Sequence, residues 1–200
     1  MRSKRFTLAD AEQTNSIFVA DLRFAEQKKY LRLPALNTTP GPDNLCYEMF
    51  KHLSTKSLEV MLQFNKIWFT GKIPPSWLHS IVVPIAKPNQ PSHLPSSYRP
   101  ISLASNVCKL FEKMVVCRPS WLLVYHKILS ISQSGFRQRR KTTDHILRLH
   151  NAIQKSLGNK HNVLSVFLGL EKAYDMVNKD VLLSKLLRYG ISGRIFRFIH

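Results

Sequence analysis

Proline sets the limits on what this chain can fold into. Eleven prolines occur in 200 residues, and each fixes its own φ and removes one backbone donor. A helical pattern over residues 7 to 31 carries Leu8, Ala11, Asn15, Phe18, Leu22 and Ala25 at helical spacing. Pro34 and the run Asn37-Thr38-Thr39-Pro40-Gly41-Pro42 end it. Asp43 is placed to cap the next helix, with Leu45, Met49, Leu53 and Leu58 on its apolar face. A further helical stretch, roughly 57 to 69, stops at Gly71 ahead of Pro74 and Pro75. Residues 79 to 85 are β-like, and Pro84 among them indicates an edge strand. The proline-rich tip from Lys87 to Pro95 follows, and residues 98 to 103 return as the second strand of a hairpin.

Beyond the hairpin, residues 104 to 128 read as a helix through Val107, Leu110, Phe111, Met114 and Val115, which Pro119 should kink or end. A basic turn from Arg137 to Asp144 leads into a helix bearing Ile146, Leu149 and Ile153. Residues 162 to 168 read as a buried strand, and 172 to 187 as a helix stopped at Gly190. A last helix has begun at His200. Helices alternating with a few strands predict a mixed class, α+β.

Charge narrows the partners. The chain carries +18, with 30 Lys and Arg against 12 Asp and Glu. Residues 71 to 141 hold eleven of those bases and the single acid Glu112, a net +10. Trp77, Tyr98, Phe111, Trp121, Tyr125 and Phe136 are interleaved with them. So few balancing acids point to a polyanion, nucleic acid before membrane surface. Any one of these aromatics, taken singly, is expected in the core.

Other chemistries are poorly supplied. Three cysteines, Cys46, Cys108 and Cys117, are too few for a disulfide scaffold and lack metal-ligand spacing. His145 and His150 are off the spacing of helical zinc pairs. There is no Gly-rich phosphate loop, no Gly-x-Ser-x-Gly elbow, no signal-peptide core and no apolar run long enough for a membrane span.

Five motifs stand in order. They are Pro40-Gly41-Pro42-Asp43; Ile81-Val82-Val83-Pro84-Ile85-Ala86-Lys87-Pro88 after Trp77; Ser97-Tyr98-Arg99-Pro100-Ile101-Ser102-Leu103; Gln133-Ser134-Gly135-Phe136-Arg137 with Thr142-Thr143-Asp144; and Val166-Phe167-Leu168-Gly169-Leu170-Glu171-Lys172-Ala173-Tyr174-Asp175. This series resembles the reverse transcriptase of non-LTR, LINE-like or jockey-type retrotransposons, from about residue 37 onward. The resemblance implies a right-hand fold of which only the fingers and the start of the palm are present, without a thumb. It divides the chain into an N-terminal helical extension (1–36), fingers (37–160) and the opening of a truncated palm (161–200).

By the same resemblance, Lys87 and Arg99 reach the triphosphate of an incoming deoxynucleotide. An arginine offers a bidentate fork to phosphate and a lysine a point charge. Tyr174 matches an aromatic steric gate against a ribose 2′-hydroxyl, the alternative being a core tyrosine on the palm helix. Phe136 lies beside the template strand, with Arg137, Arg139 and Arg140 near phosphates. Gly135 would let the backbone approach nucleic acid or adopt positive φ. The implied partners are an RNA template and an RNA–DNA hybrid, with no membrane. The implied location is intracellular, in nucleus and cytoplasm. Mg2+ serves the intact family, whose two-metal chemistry needs carboxylates to hold the ions.

Here the sequence departs from the pattern. Gly169 stands where the family carries its first metal-binding Asp, and glycine has no side-chain oxygen. Neither Glu171 nor Asp175 is an obvious substitute, and the chain contains no Asp-Asp pair. Arg139 also stands where the family usually has glycine. No catalytic or metal residue is therefore expected intact, and no cofactor is expected for this chain. The expectation is an inactive polymerase fragment. The alternatives are a derived, non-catalytic RNA- or hybrid-binding protein, or an incomplete gene model of an active enzyme.

Overall fold

The computed structural model describes residues 17–31, 39–170 and 173–200. In chain order the elements are helices α1 (Phe24–Leu31), α2 (Tyr47–Lys51), α3 (Thr55–Met61) and α4 (Phe64–Thr70), then strands β1 (Ser80–Ala86) and β2 (Tyr98–Ala104). Helices α5 (Asn106–Tyr125), α6 (Thr142–Gly158), α7 (Lys179–Arg188) and α8 (Arg194–Ile199) follow. Helices with one small antiparallel sheet make this an α+β structure. The chain divides into two units. The larger takes in the described residues up to Leu122 together with Leu183–His200, and the smaller is Leu123–Leu182.

The larger unit holds the core. Phe18, Leu110, Phe111, Met114, Val115, Leu122, Ile191 and Ile195 are fully buried. Phe111 is the hub, with ring centroids 5.5 Å from Phe64, 5.6 Å from Trp77 and 5.1 Å from Phe198. Trp77 and Phe111 are therefore packing residues, as expected of single aromatics in the basic block. Helix α5 supplies most of this surface because Leu110, Phe111, Met114, Val115 and Leu122 recur on one face. It runs through Pro119 to Tyr125 instead of ending there. Proline sacrifices one helical bond, and burial of Pro119 beside Arg118 and Leu122 offsets that loss.

The helix read over 7 to 31 lies partly outside the described residues. Within them it is interrupted at 20–23 before α1 begins. The carbonyls of Ile17, Ala20 and Asp21 accept from the Arg118 guanidinium, and Ala20 also accepts from the Trp68 indole N–H at 2.9 Å. The Asn65 side chain pairs both ways with the Leu22 backbone, at 2.7 and 3.0 Å. Tertiary donors have replaced the next helical turn as partners for this backbone.

Other boundaries moved for local reasons. Asp43 accepts from the Leu45 N–H and makes an Asx turn, so α2 starts only after Cys46. The helix expected from 57 to 69 is two helices, α3 and α4. Ser54 caps α3, its oxygen accepting from the Ser57 N–H at 3.1 Å, and Gly71 closes α4 at φ 70°. Gly190 turns the chain after α7 at φ 75°. That helix begins at Lys179 and not near 172, with a turn over 173–176 before it. Residues 162–168 do not form the expected strand: they are irregular, and Leu164, Val166, Phe167 and Leu168 are exposed. Strand propensity needs a neighbouring strand to pair each N–H and C=O, and β1 and β2 pair only with each other among the described residues.

Two cysteines sit in this packing. Burial, with the Glu112 carboxylate beside it, pushes the Cys108 thiol up to about 12, and burial also raises Cys117. The folded chain keeps the Cys108 proton after the unfolded chain releases it near 9.0. Stability is therefore expected to fall as pH rises through that window. Urea midpoints measured from about pH 8 to 11 should show a shallower alkaline slope in Cys108→Ala.

Candidate nucleotide and nucleic-acid site

The hairpin of the larger unit is fully specified by its register. Ser80 faces Ala104, Pro84 faces Pro100 and Ala86 faces Tyr98. The Lys87 N–H donates to the Ser97 carbonyl at 2.8 Å, so 87 and 97 are a hydrogen-bonded pair. Alternation then makes Pro84 and Pro100 a non-bonded pair, whose amides would point to the outer edges. Each proline thus deletes a donor from a free edge without breaking the ladder. Both edges are blunted against strand addition.

The same alternation puts Ile81, Val83, Ile85 and Lys87 on one face with Arg99 and Ile101. Arg99 faces Ile85, one step from Lys87 on that face, a diagonal spacing of about 7 Å. The hairpin therefore brings the two cations together. Lys87 Nζ donates to the Ser96 carbonyl at 2.8 Å, and Tyr98 donates to the Ser92 carbonyl at 2.9 Å, which orders the tip. Arg99 is exposed and has no partner among the described residues.

The remaining candidates lie in the smaller unit. Arg137 fastens its own loop, its guanidinium donating to the carbonyls of Ser130 (2.8 Å) and Gln133 (3.4 Å). Phe136 is 94% exposed. The left-handed conformations fall on Phe136 (φ 56°) and Arg139 (φ 60°), and not on Gly135. Gly135 therefore does not serve a positive φ, and a Cβ there would meet nothing within 4 Å. Asp144 accepts from the Lys141 N–H at 2.9 Å and so caps α6. An open pocket of about 410 Å³ lies at this helix start, with Arg137 and Arg140 in its wall. Ser134, Lys141 and His145, which the sequence reading passed over as site residues, line it too.

Tyr174 is 79% exposed in the turn before α7, so it is neither a core residue nor on a helix. Gly169 is exposed, lies outside the left-handed region, and a Cβ on it would meet nothing within 4 Å. Backbone geometry therefore does not demand glycine there. The donor set does not fit a catalytic metal pair. Gly169 offers no side-chain oxygen, and no group of three or more His, Cys, Asp or Glu among the described residues could hold an ion. No helix among the described residues is long and apolar enough to cross a membrane.

Residues 85–199 match the family described as reverse transcriptase (RNA-dependent DNA polymerase). The chain is 32% identical over 172 residues to a probable RNA-directed DNA polymerase from transposon BS of Drosophila melanogaster, covering 86% of this chain and 19% of that protein. A relative from the transposon X-element of the same fly is 32% identical over 142 residues, covering 70% of this chain and 16% of its own length. The RNA-directed DNA polymerase of its mobile element jockey is 26% identical over 174 residues, covering 86% and 19%. The chain thus spans about a fifth of the length of these curated relatives. With a family match over more than half its residues, and the second hairpin strand and the basic loop falling inside that match, the chain belongs to the reverse transcriptase family, as part of the RNA-directed DNA polymerase domain of a non-LTR retrotransposon.

Proposed function

We propose that this chain is the fingers and palm opening of a retrotransposon polymerase that holds nucleic acid but does not extend a primer. The observation that carries this is Gly169, exposed and without a side-chain oxygen at the position of the family's first metal carboxylate. In this reading, residues 1–36 are an extension, 37–160 the fingers and 161–200 the palm opening. Lys87 and Arg99, neighbours on one face of the hairpin, hold the triphosphate of a deoxynucleotide. Tyr174, exposed and unpacked, is the steric gate. Phe136, Arg137, Arg139 and Arg140 meet the template or an RNA–DNA hybrid. Mg2+ supplies charge neutralisation in intact relatives, but the residues here do not fit it, and no step runs through it. The expected places of action are nucleus and cytoplasm.

Binding without catalysis is supported by the block from 71 to 141, whose net +10 needs anions to neutralise it. The test is primer extension on an RNA template with Mg2+, run on the chain and on Gly169→Asp. Neither is expected to extend, and the substitution should leave stability within about 0.5 kcal/mol because the site is open. Mg2+-dependent extension by the unsubstituted chain would overturn the reading. Filter binding of the same template should weaken steeply with salt, and binding that salt does not change would also count against it.

A further inference from the structure

Residues 164–170 carry a pattern that reads alike in both directions. Phe167 is its centre. Leu164, Val166, Leu168 and Leu170 stand one and three places away, and the small Ser165 and Gly169 two places away. The four aliphatic side chains and Phe167 are 73–91% exposed. Residues 162–170 make no backbone hydrogen bond among the described residues, and none of them holds a positive φ. The stretch is an unpaired, strand-forming segment with its apolar side chains in water. It also lacks the devices that protect an edge. The hairpin has Pro84 and Pro100, whereas residues 162–170 contain no proline and no charged residue, in a chain of +18.

A palindromic strand is complementary to itself. In an antiparallel pair with the two-fold axis at Phe167, that ring faces the partner's Phe167. Leu164 then faces the partner's Leu170, Val166 the partner's Leu168, and Ser165 the partner's Gly169. Alternation gathers the aliphatic residues of both copies on one face, and the two rings meet on the other with only serine and glycine beside them. A slip of one residue sets Phe167 against the partner's Val166 and mixes the two faces. A bare two-stranded ribbon is marginal in water. Helix α6 of the same unit offers cover: Ile146, Leu149, Ile153 and Leu157 recur on one face, and none of its residues is buried. At on the order of 100 Å² for each of the five exposed side chains, two copies hide roughly 1,000 Å², the size a specific interface needs. Charge selects the same stretch, because here two strongly basic copies can touch without opposing like charges.

We propose that two copies of this chain associate through residues 164–170, paired antiparallel about Phe167. The association goes beyond nucleic-acid binding and does not depend on it. Each copy carries +18, so salt should tighten the pair by screening their repulsion. Association bridged by nucleic acid would weaken with salt instead.

The test is analytical ultracentrifugation of the full, nuclease-treated chain over about 1–100 μM, a range that reaches weak interfaces. The mass should rise to that of a dimer and stop there. Phe167→Ala and Leu168→Lys should each weaken the dimer about tenfold or more, because the two-fold axis counts every substitution twice. Both side chains are exposed, so the fold of the single copy is kept. Leu78→Lys, the same change at an exposed leucine of the larger unit, should leave the dimer as it is. Cysteine reads the register. A mixture of Ser165→Cys and Gly169→Cys proteins should form an interchain disulfide under mild oxidation. Either protein alone should give no more than the parent, with its own free cysteines, gives. A chain that stays monomeric, a mass that grows without limit, or association that weakens with salt overturns the proposal. So does a dimer that ignores Phe167→Ala and Leu168→Lys, or cross-linking that is equal in the mixture and in the separate proteins.

Discussion

Arg118→Met is expected to lose about 3–5 kcal/mol of stability, a large fraction of what a single domain has. Arg118 is 5% exposed, and its guanidinium donates to the carbonyls of Ile17, Ala20 and Asp21. It also pairs with the Glu26 carboxylate at 3.2 Å and lies 5.4 Å from the Trp68 ring. Methionine matches the volume but donates nothing. Replacing both members of a buried ion pair can be neutral, but three main-chain carbonyls cannot be replaced. Arg118→Lys should fall between, since one ammonium cannot reproduce the planar fork. Urea midpoints of the three proteins check this. An Arg118→Met midpoint equal to that of the parent would mean that water reaches these carbonyls and the bonds contribute nothing net.

The second large effect is at Gly41, in the first motif. A Cβ on Gly41 would lie 2.5 Å from the Ala104 carbonyl carbon and oxygen and 2.7 Å from the Ser105 nitrogen. All three are backbone atoms where β2 hands over to α5, so no side chain can move aside. Gly41→Ala is expected to destabilise by about 3 kcal/mol or more through this overlap. Gly71→Ala should lose only about 1 kcal/mol, because it has open space and only left-handed strain at φ 70°. Gly135→Ala, with neither burden, should be close to neutral. If thermal melts put the three alanine variants at equal stability, the close approach at Gly41 is not what the motif's glycine provides.

Both results bear on how far the sequence could be read. The hairpin was legible because proline, β-branched residues and a polar tip are local signals, and its bounds held to within a residue or two. Gly71 and Gly190 were legible as helix stops for the same reason. The strand at 162–168 was not, because its composition states a preference that only a neighbouring strand can satisfy. The break at 20–23 was equally hidden: nothing near Ala20 in sequence signals that Arg118 and Trp68 will take its carbonyl. In the candidate site, the pairing of Lys87 with Arg99 on one face follows from register and could be drawn from the two strands alone. Ser134 carried no signal in the sequence beyond its place in a motif. Its burial without a partner is visible only in three dimensions.

Charge shows the division most directly. The sequence alone determined that the chain is basic between 71 and 141 and which family it belongs to, because these are matters of identity and order. It could not say which bases in the block face outward. Arg118 and Arg99 read alike in the sequence, yet one is buried on main-chain carbonyls and the other is exposed without a partner. The tertiary structure decided that. A guanidinium's role depends on whether folding surrounds it with acceptors or leaves it to water and anions, and those acceptors come from residues about 100 positions away.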